Sequence, residues 1–388
     1  MKDIKIVIGA NYGDEGKGLV TRHFVREASN PIVILHNGTA QRGHTVDYGP
    51  NCRHIYHHFG SGTADNTPTF FADTFWIHPM SFTLEWKELE YKGVKVPRSF
   101  ADDKCRVVTP FDMFADHATE AYIQLERGER EFGSCGLGTW CATDRFPVHS
   151  YLLKSWYKAV QGCLNNQEAY YVSLMEHSLD ECLKVLKSRK VDLEKLPTYK
   201  RYFDKTDGLF KYLCNNFLRD LIFFFGHCER ISFDNIYDRY NTLIFENGQG
   251  LGLDMDVDND WHTTSHTGLV NPMALLAGRT DPQVEVCYVT RSYLTRHGVG
   301  PLEETVKKTE INATMHDLTN VPNEFQGTLR YGYLDDVAQA ARIEKDWNLA
   351  AGLSNFKKTM AVTHCNEFED LYQKANYVSY NPYSILKR

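Results

Sequence analysis

The chain carries a short glycine-rich loop near residue 15 in which two carboxylates stand beside a lysine. Its sequence, GDEGKG at 13–18, begins after four further residues beyond the apolar run at 6–8. Backbone N–H groups in such a loop can bind phosphate oxygens, and Lys17 can neutralise a phosphoryl group during its transfer. Asp14 is costly beside a phosphate unless it ligates a cation or takes a proton from the substrate. The loop indicates phosphoryl transfer combined with proton abstraction, and the alternative is a tight charged turn without chemistry.

Two familiar nucleotide-binding patterns are absent from this loop. It lacks the first glycine of the Walker A sequence, and Gly18 stands where Ser or Thr would ligate magnesium. The G-x-G-x-x-G fingerprint of dinucleotide-binding proteins is also missing. The prediction consequently depends on the residue types in the loop and not on a standard motif.

Further polar clusters follow other apolar runs of the chain. NGTAQRGHTV at 37–46 contains His44, and an imidazole in such a loop can reach a developing oxyanion. ENGQGLGLDMD at 246–256, TTSHT at 263–267 and TRHGVGP at 295–301 are similar in character. Polar loops at the carboxyl ends of parallel strands lie along one edge of a sheet, so we expect these clusters to meet.

Five short runs rich in β-forming residues predict the strands that position these loops: IKIVIGA, PIVILHN, NTLIFEN, VEVCYVT and TMAVTH. The stretch from about 151 to 240 is mostly helical in pattern, and the spacing of aromatic residues and leucines in DGLFKYLCNNFLRDLIFFF indicates core packing. We therefore predict an α/β fold. A single large domain, 1–388, would surround a mostly parallel central sheet and carry a helical insertion at about 151–240.

Composition limits the classes of partner. The 388 residues carry a formal net charge of −7, which gives no global basic field for nucleic acid or for an anionic membrane. The ten cysteines include no CxxC pair, as is typical of reduced thiols, and the first residues lack the apolar region of a signal peptide. The apolar cluster LIFFFG is too short to cross a bilayer. We expect a cytoplasmic protein that binds neither nucleic acid nor membrane.

Several of these motifs together resemble the adenylosuccinate synthetase family. They are GDEGKG at 13–18, GHT at 43–45, GQG with the following LDMD at 248–256, TRHGVGP at 295–301 and GYLD at 332–335, in the order of the family. The resemblance implies a P-loop-NTPase-like fold, a homodimer, and a ligase that forms a C–N bond in purine nucleotide biosynthesis. Such an enzyme uses Mg²⁺ and a nucleoside triphosphate to phosphorylate O6 of a 6-oxopurine nucleotide, and L-aspartate then displaces the phosphate.

The same resemblance implies roles for individual residues. Asp14 would remove the N1 proton of the purine, and it would ligate Mg²⁺ together with the carbonyl of Gly43. His44 would stabilise and protonate at O6, and Lys17 would hold the transferring phosphoryl group. Gln249 would steady the activated purine.

Three binding regions also follow from the resemblance. The triphosphate donor, ATP or GTP, would contact Gly13, Glu15, Gly16, Lys17, Gly18, Thr45, Asn366, Ser379, Asn381 and Pro382. The purine nucleoside monophosphate would contact Asn11, Gln41, Ser134, Cys135 and Thr263. L-aspartate would contact Thr328, Arg330 and Arg296. Arg145 lies close to the place where the family has an arginine that serves the partner subunit.

One departure from the family pattern leaves the nucleotide substrates open. The family sequence TKLD reads THCN at 363–366, so Asn366 offers one acceptor and one donor where a carboxylate selects guanine. ATP or dATP is therefore a candidate donor, and phage-type relatives with a comparable asparagine use dGMP and ATP. Those relatives often lack the base aspartate, which is present here as Asp14. The alternative is that Asn366 still pairs with guanine through its carbonyl, and IMP and dGMP both stay open as the purine.

The aspartate loop is a second departure. It is shorter than in the family and keeps one arginine, Arg330, so the second carboxylate of aspartate needs another donor, such as Arg296 or backbone N–H groups. An inactive nucleotide-binding relative that acts as a regulator is the alternative function. The short loop favours it, whereas Asp14, Lys17 and His44 argue against it. HIYHH at 54–58 has the spacing of a helical metal site, which leaves zinc as an alternative ligand.

Overall fold

The computed structural model describes residues 2–49, 52–128, 135–145, 151–257, 263–303, 305–315, 327–367 and 375–388. The strands in these ranges are β1 (Asp3–Gly9), β2 (Pro31–Leu35), β3 (His44–Gly49), β4 (Cys52–Tyr56), β5 (Thr69–Phe71), β6 (Trp76–Ile77), β7 (Ser99–Ala101), β8 (Arg106–Val107), β9 (Cys228–Arg230), β10 (Thr242–Gly250), β11 (Gln283–Arg291), β12 (Leu294–Arg296), β13 (Thr305–Val306), β14 (Arg330–Gly332), β15 (Phe356–Thr363), β16 (Tyr377–Asn381) and β17 (Ser384–Lys387). The helices are α1 (Lys17–Glu27), α2 (Pro79–Tyr91), α3 (Pro110–Arg127), α4 (Thr139–Asp144), α5 (Leu153–Leu164), α6 (Ala169–Ser188), α7 (Pro197–Lys200), α8 (Gly208–His227), α9 (Phe233–Arg239), α10 (Val270–Leu276), α11 (Lys308–Ile311) and α12 (Asp336–Trp347).

A ten-stranded sheet organises the described residues. Its strand order is β17-β16-β15-β11-β1-β10-β2-β5-β7-β9, and neighbouring strands are parallel except at the β16–β17 edge. The five predicted strand runs form its centre as β15, β11, β1, β10 and β2. The mostly parallel α/β fold is thereby confirmed.

The central strands are buried on both faces, as is usual for a parallel sheet that is covered on both sides. In β1, Ile4, Ile6 and Ile8 enter one apolar cluster while Val7 enters the other, and all four side chains are fully buried. This alternation arises because successive residues of a strand point to opposite faces. Because these strands are buried on both faces, their sequences are apolar without interruption.

The predicted helical insertion corresponds to helices α5 to α8. Trp156 of α5 and Phe217 and Phe224 of α8 lie in the larger apolar cluster together with residues of α3, so the aromatic spacing serves core packing as predicted. Within the predicted range of about 151–240, β9 interrupts the helices and joins the edge of the central sheet, and α9 then ends at Arg239. Among the described helices, none is both long enough and apolar enough to span a membrane.

Two small antiparallel sheets carry further residues that the sequence analysis singled out. β3 and β4 form a hairpin in which His44 pairs with Tyr56. β12 and β13 flank β14, and Arg296 of β12 lies directly opposite Arg330 of β14. The candidate site is therefore built from loops of the central sheet together with these two appended sheets.

Candidate active site

The loop between β1 and α1 turns through backbone conformations that few residues adopt. Gly13 and Gly16 have φ angles of 94° and 90°, in the left-handed region that glycine tolerates best. Asp14 has a φ angle of 58°, which is uncommon for a residue with a Cβ and is found disproportionately at functional sites. Space is a second constraint at Gly16, because a Cβ there would lie 2.8 Å from Cγ2 of Thr363. These two glycines are thus needed for the turn itself.

The two carboxylates of this loop have different environments. Glu15 is buried, accepts a hydrogen bond from the backbone N–H of Asn11 at 2.5 Å, and pairs with Nζ of Lys17 at 3.2 Å. Burial raises the pKa of Glu15, although the charge of Lys17 opposes that shift. Asp14 keeps 24% of its side chain exposed and borders a cavity. Glu15 therefore holds the loop and the side chain of Lys17 in place, and Asp14 is the carboxylate that a substrate can reach.

A cavity of about 280 Å³ brings together most of the residues assigned to the donor nucleotide and to catalysis. Its lining includes Asp14, Glu15, Gly16, Lys17, Gly18, Gly43, His44, Thr45, Asn366, Ser379, Asn381 and Pro382. They come from the opening loop, from the β3 hairpin and from the two segments next to β15 and β16. The expected meeting of polar loops is therefore observed for the opening loop and the 37–46 cluster, whereas no described residue of the clusters at 246–256, 263–267 and 295–301 lines this cavity.

Three carboxyl-terminal residues bring polar groups to this cavity. The amide nitrogen of Asn366 donates to Oε1 of Glu367 at 2.9 Å, which leaves its side-chain carbonyl as the group available to a base. Oγ of Ser379 donates to the backbone carbonyl of Asn381 at 2.5 Å, and the side-chain carbonyl of Asn381 accepts from the N–H of Ser384 at 3.0 Å. The turn after β16 is therefore held by its own side chains.

His44 is held by a carboxylate that the sequence analysis did not single out. The structure places His44 at the first position of β3 and not in a loop. Its Nδ1 lies 2.8 Å from Oε1 of Glu246, which is fully buried in β10. The other oxygen of Glu246 accepts from the N–H of Ser61 at 3.0 Å and from Nη2 of Arg42 at 3.4 Å. An acidic residue at the end of a predicted buried strand is the signal in the sequence that points to Glu246.

Burial and charge together set the protonation states of this pair. Burial opposes ionisation of Glu246, but the charges of Arg42 and His44 and the hydrogen bond from Ser61 outweigh it and lower the pKa of Glu246 to about 2. Burial lowers the pKa of His44 to about 4, against the opposing effect of Glu246. The imidazole is therefore neutral at pH 7, with its proton on Nδ1 toward Glu246, and Nε2 is left for a ligand.

Acid should reduce the stability of the protein through Glu246. Because its folded pKa of about 2 lies below the ordinary value, its ionisation stabilises the fold above about pH 4.3, and that contribution is lost as the pH falls toward 2. The shift corresponds to about 3 kcal/mol. We expect the urea-unfolding free energies of the wild type and of Glu246→Gln to differ most at pH 5 and to converge between pH 4 and pH 2. A difference that stays constant over this range would contradict the assignment.

Gln249 occupies a second left-handed turn beside the first. Its φ angle is 64°, and its Oε1 lies 3.8 Å from the position that a Cβ on Gly13 would take. Asn37, at the end of β2, exchanges two hydrogen bonds with the backbone of Gly248, at 3.0 and 2.8 Å. The loops after β2 and β10 are thereby locked together. Gln249 adjoins the loop that carries Asp14, although it is not among the residues that line the cavity.

A second histidine reaches Asp14 from the TRHGVGP segment. Nε2 of His297 lies 3.5 Å from Oδ2 of Asp14. The backbone carbonyl of Asp14 accepts a hydrogen bond from Nε of Arg291, and the carbonyl of Gly13 accepts one from Oγ1 of Thr295 at 3.4 Å. The loop after β1 is therefore supported from the ends of β11 and β12. His297 was quoted within its motif but not assigned to the site.

The two arginines assigned to L-aspartate lie side by side, and both support a loop. Arg296 is buried and donates to two carbonyls of the 298–301 segment at 3.2 and 2.8 Å. Arg330, which is only partly buried, donates to two other carbonyls of that segment at 3.1 and 2.8 Å. Burial lowers the pKa of Arg296 to about 10 and also lowers the pKa of Arg330. An anionic ligand would offset this cost, and the exposed Thr328 lies two residues before Arg330 in sequence.

Asn11, which the resemblance assigned to the purine nucleotide, is engaged inside the protein. Its amide nitrogen donates to Thr290 and Gln339 at 2.9 and 3.0 Å, and its side-chain carbonyl accepts from Nη2 of Arg342 at 2.6 Å. Arg342 also pairs with Glu303 at 2.8 Å. In these contacts Asn11 ties the opening loop to α12, and it does not line the cavity.

The remaining residues assigned to the purine nucleotide come from other segments. Oγ1 of Thr139, at the start of α4, lies 3.5 Å from Oε1 of Gln41, which links the loop after β2 to the 135–140 segment. Burial raises the pKa of Cys135 to about 12, which disfavours its reactive thiolate form. Thr263 is partly exposed after the LDMD segment. Ser134 lies outside the described residues.

Arg145 is occupied within its own chain. Its buried guanidinium makes two hydrogen bonds to Asp112, at 2.5 and 2.7 Å. Burial opposes the charge of Arg145, but Asp112 outweighs burial and raises its pKa above the ordinary value. Arg145 therefore joins the end of α4 to α3 within its own chain.

The oxygen groups at the cavity fit a hard divalent cation. The carboxylate of Asp14 and the exposed backbone of Gly43 both border the cavity. Carboxylate and carbonyl oxygens are the ligands that Mg²⁺ prefers, and Mg²⁺ usually takes few ligands from the protein and completes its shell with water and phosphate oxygens. These two groups would hold the ion.

The zinc alternative is wrong. The HIYHH segment forms a strand and a bend instead of a helix. Nε2 of His54 lies 3.3 Å from Glu85, Nδ1 of His57 lies 2.6 Å from the carbonyl of Arg42, and His58 packs among aromatic rings. Spacing that suits a helical site does not converge on a strand, because successive side chains point to opposite faces.

The chain has counterparts among curated proteins. It matches the family model of adenylosuccinate synthetase over residues 6–350. The adenylosuccinate synthetases of Clostridium botulinum (strain Alaska E43 / Type E3) and Tropheryma whipplei (strain Twist) are 26% and 27% identical to it over 305 residues. These alignments cover 76% of this chain and 64% and 63% of the relatives, so the chain spans less than two thirds of their length.

Solved structures share the fold. The alignment with the fully ligated adenylosuccinate synthetase from Plasmodium falciparum covers 95% of this chain and 78% of the Plasmodium chain, with a TM-score of 0.68 and 19% identity. A second structure is the succinoaminodeoxyadenylate synthetase of cyanophage S-2L, bound to dGMP and to dATP as an energy donor. The alignment covers 100% of this chain and 95% of the cyanophage chain, with a TM-score of 0.61 and 12% identity. Since the family model covers most of its length, the chain belongs to the adenylosuccinate synthetase family.

Proposed function

We propose that this protein is a ligase that joins L-aspartate to C6 of a 6-oxopurine nucleoside monophosphate and consumes a nucleoside triphosphate. The observation that carries the proposal is one shared cavity, which the carboxylate of Asp14, the ammonium group of Lys17 and the imidazole of His44 all border. Phosphate binding requires only hydrogen-bond donors and positive charge. A reachable carboxylate beside them is useful for ligating a cation and for removing a proton.

In the first step the carboxylate of Asp14 takes the N1 proton of the purine, and O6 becomes the nucleophile. O6 attacks the γ-phosphorus, the bond to the β,γ-bridging oxygen breaks, and the nucleoside diphosphate leaves. Lys17, held by Glu15 at 3.2 Å, offsets the charge of the transferring group. His44 takes up a proton from water as negative charge develops near O6, the carboxylate of Glu246, 2.8 Å away, stabilises the imidazolium, and this proton later leaves with the phosphate.

In the second step the amine of L-aspartate attacks C6, and the C6–O6 bond breaks with release of phosphate. Arg330 is the partly exposed member of the arginine pair on β12 and β14, so we assign it to a carboxylate of L-aspartate. The main contributions to both steps are positioning of the reactants and neutralisation of charge.

Asp14 and the carbonyl of Gly43 would hold Mg²⁺, which would neutralise charge on the phosphate oxygens. IMP and dGMP both carry an N1 proton and a 6-oxo group, so Asp14 serves either purine. We further propose a cytoplasmic homodimer in which residues 1–388 form a single domain, in line with the family resemblance. The small-molecule partners are the purine nucleotide, ATP, dATP or GTP, and L-aspartate.

A reconstituted reaction tests this function. Purified protein is incubated with Mg²⁺, L-aspartate, and each combination of IMP or dGMP with ATP, dATP or GTP. For at least one combination we expect phosphate release that requires every component, together with a product whose mass is that of the purine nucleotide plus aspartate minus water. Phosphate release that is indifferent to aspartate, or no release with any combination, would instead favour an inactive nucleotide-binding relative that acts as a regulator.

A further inference from the structure

Three consecutive backbone carbonyls of the opening loop, those of residues 13–15, are each held by a side chain from a different strand. In order along the loop, the donors are Oγ1 of Thr295 at 3.4 Å, Nε of Arg291, and Oγ1 of Thr363 at 2.8 Å. Thr295 lies on β12, Arg291 ends β11 and Thr363 ends β15. All three are buried, with 2 or 3% of their surface exposed.

This arrangement sets the direction of the backbone N–H groups. In a trans peptide the carbonyl and the N–H that follows it point in opposite directions. Carbonyls held against the strand ends therefore turn the N–H groups of Asp14, Glu15 and Gly16 away from those strands. Within the described ranges none of these three N–H groups donates to a protein acceptor, and all three residues line the cavity.

We infer that Arg291, Thr295 and Thr363 are positioning residues that aim the N–H groups of residues 14–16 at the phosphates of the donor nucleotide. The inference rests on the proposed function, because it takes a nucleoside triphosphate as the occupant of the cavity. Successive N–H groups that face one side form a concave anion-binding surface. The left-handed φ angle of Asp14 costs conformational energy in a free loop, and hydrogen bonds to the carbonyls on both sides of it offset that cost.

Thr363 allows the sharpest test, because its hydroxyl can be removed with little change of shape. Thr363→Val keeps the branched side chain beside Gly16 and leaves the carbonyl of Glu15 without this donor. Thr363→Ser keeps the hydroxyl and loses the methyl group. Thr359 provides the matched control: it lies four residues earlier on the same face of β15, is similarly buried, and donates to Glu285 at 3.0 Å.

Calorimetric titration with the β,γ-imido analogues of ATP and GTP, in Mg²⁺ buffer, measures donor binding without turnover. The analogue that the wild type binds more tightly is used for all variants. We expect Thr363→Val to weaken binding by about 10- to 100-fold, the size expected for a misdirected hydrogen bond to a charged group. Thr363→Ser should recover most of the affinity. Thr359→Val should bind as the wild type does, and its melting temperature should fall by a similar amount to that of Thr363→Val.

Several outcomes would overturn the inference. Wild-type affinity in Thr363→Val would show that the hydroxyl does not aim the loop. An equal loss in Thr359→Val would assign the effect to general destabilisation, and an equal loss in Thr363→Ser would assign it to packing of the methyl group. If the wild type binds neither analogue, the proposed function fails and the inference fails with it. Tight binding by the wild type and an unaffected Thr363→Val would remove the inference alone.

Discussion

Asp14→Asn is expected to lower kcat by about 10²- to 10⁴-fold while the protein stays folded. The amide cannot accept the N1 proton of the purine, and it is a weaker ligand for Mg²⁺ than a carboxylate. The side chain is 24% exposed, and its contact with Nε2 of His297 is long, at 3.5 Å, so the core does not depend on it. Phosphate release in the presence of L-aspartate measures kcat, and thermal melting measures the folded state.

Asp47→Asn is the matched control for this prediction. Asp47 lines the same cavity, but Arg53 holds both of its oxygens at 2.8 Å, so it is not free to act as a base. We expect a much smaller change in kcat than for Asp14→Asn. A wild-type kcat in Asp14→Asn, or a loss of equal size in Asp47→Asn, would rule out proton abstraction by Asp14.

Glu246→Gln is expected to reduce both turnover and stability. The neutral amide no longer balances the charge of Arg42, and breaking a buried ion pair typically costs about 3–5 kcal/mol. His44 also loses the carboxylate that fixes its Nδ1 proton and stabilises its charged form, for which we expect a loss of about 10²-fold in kcat. Urea unfolding at pH 7 measures the stability, and initial rates at saturating substrates measure kcat.

Glu85→Gln separates the two effects. Glu85 is also buried, and it accepts from the N–H of His57 at 3.1 Å and from that of His58, so its loss should destabilise the fold. It does not line the cavity, and kcat per folded molecule should therefore stay at the wild-type value. If Glu246→Gln likewise loses stability and keeps its kcat, Glu246 is a structural residue only, and its proposed action on His44 is wrong.

The centre of the fold could be predicted because its signals are local. A strand that is buried on both faces must be apolar along its whole length, so the five central strands stood out as short apolar runs. The turn after β1 could also be predicted from the sequence, since Gly13 and Gly16 adopt left-handed φ angles that a residue with a Cβ rarely takes. The mostly helical stretch at about 151–240 followed from the spacing of its core residues, although the short strand β9 within it was not predicted.

Residues whose role depends on a distant partner were missed or misplaced. Glu246 and His44 are 202 positions apart, and Arg291 is 277 positions from Asp14, whose carbonyl it holds. No local pattern encodes such a contact. The assignment of Asn11 to the purine nucleotide stays a prediction, and its contact with Arg342 of α12, 331 positions away, had no local signal in the sequence.

The opening loop shows which properties follow from the local sequence and which follow from the tertiary structure. Its motif established the family resemblance, the need for a turn and the presence of two carboxylates beside a lysine, because these depend on residue type and on spacing of a few positions. Which carboxylate keeps solvent exposure at the cavity was decided by tertiary packing, which buries Glu15, paired with Lys17, and leaves Asp14 24% exposed. Burial determines which groups carry a charge, and distance determines which groups can contact each other. Both are fixed only when segments far apart in the chain come together.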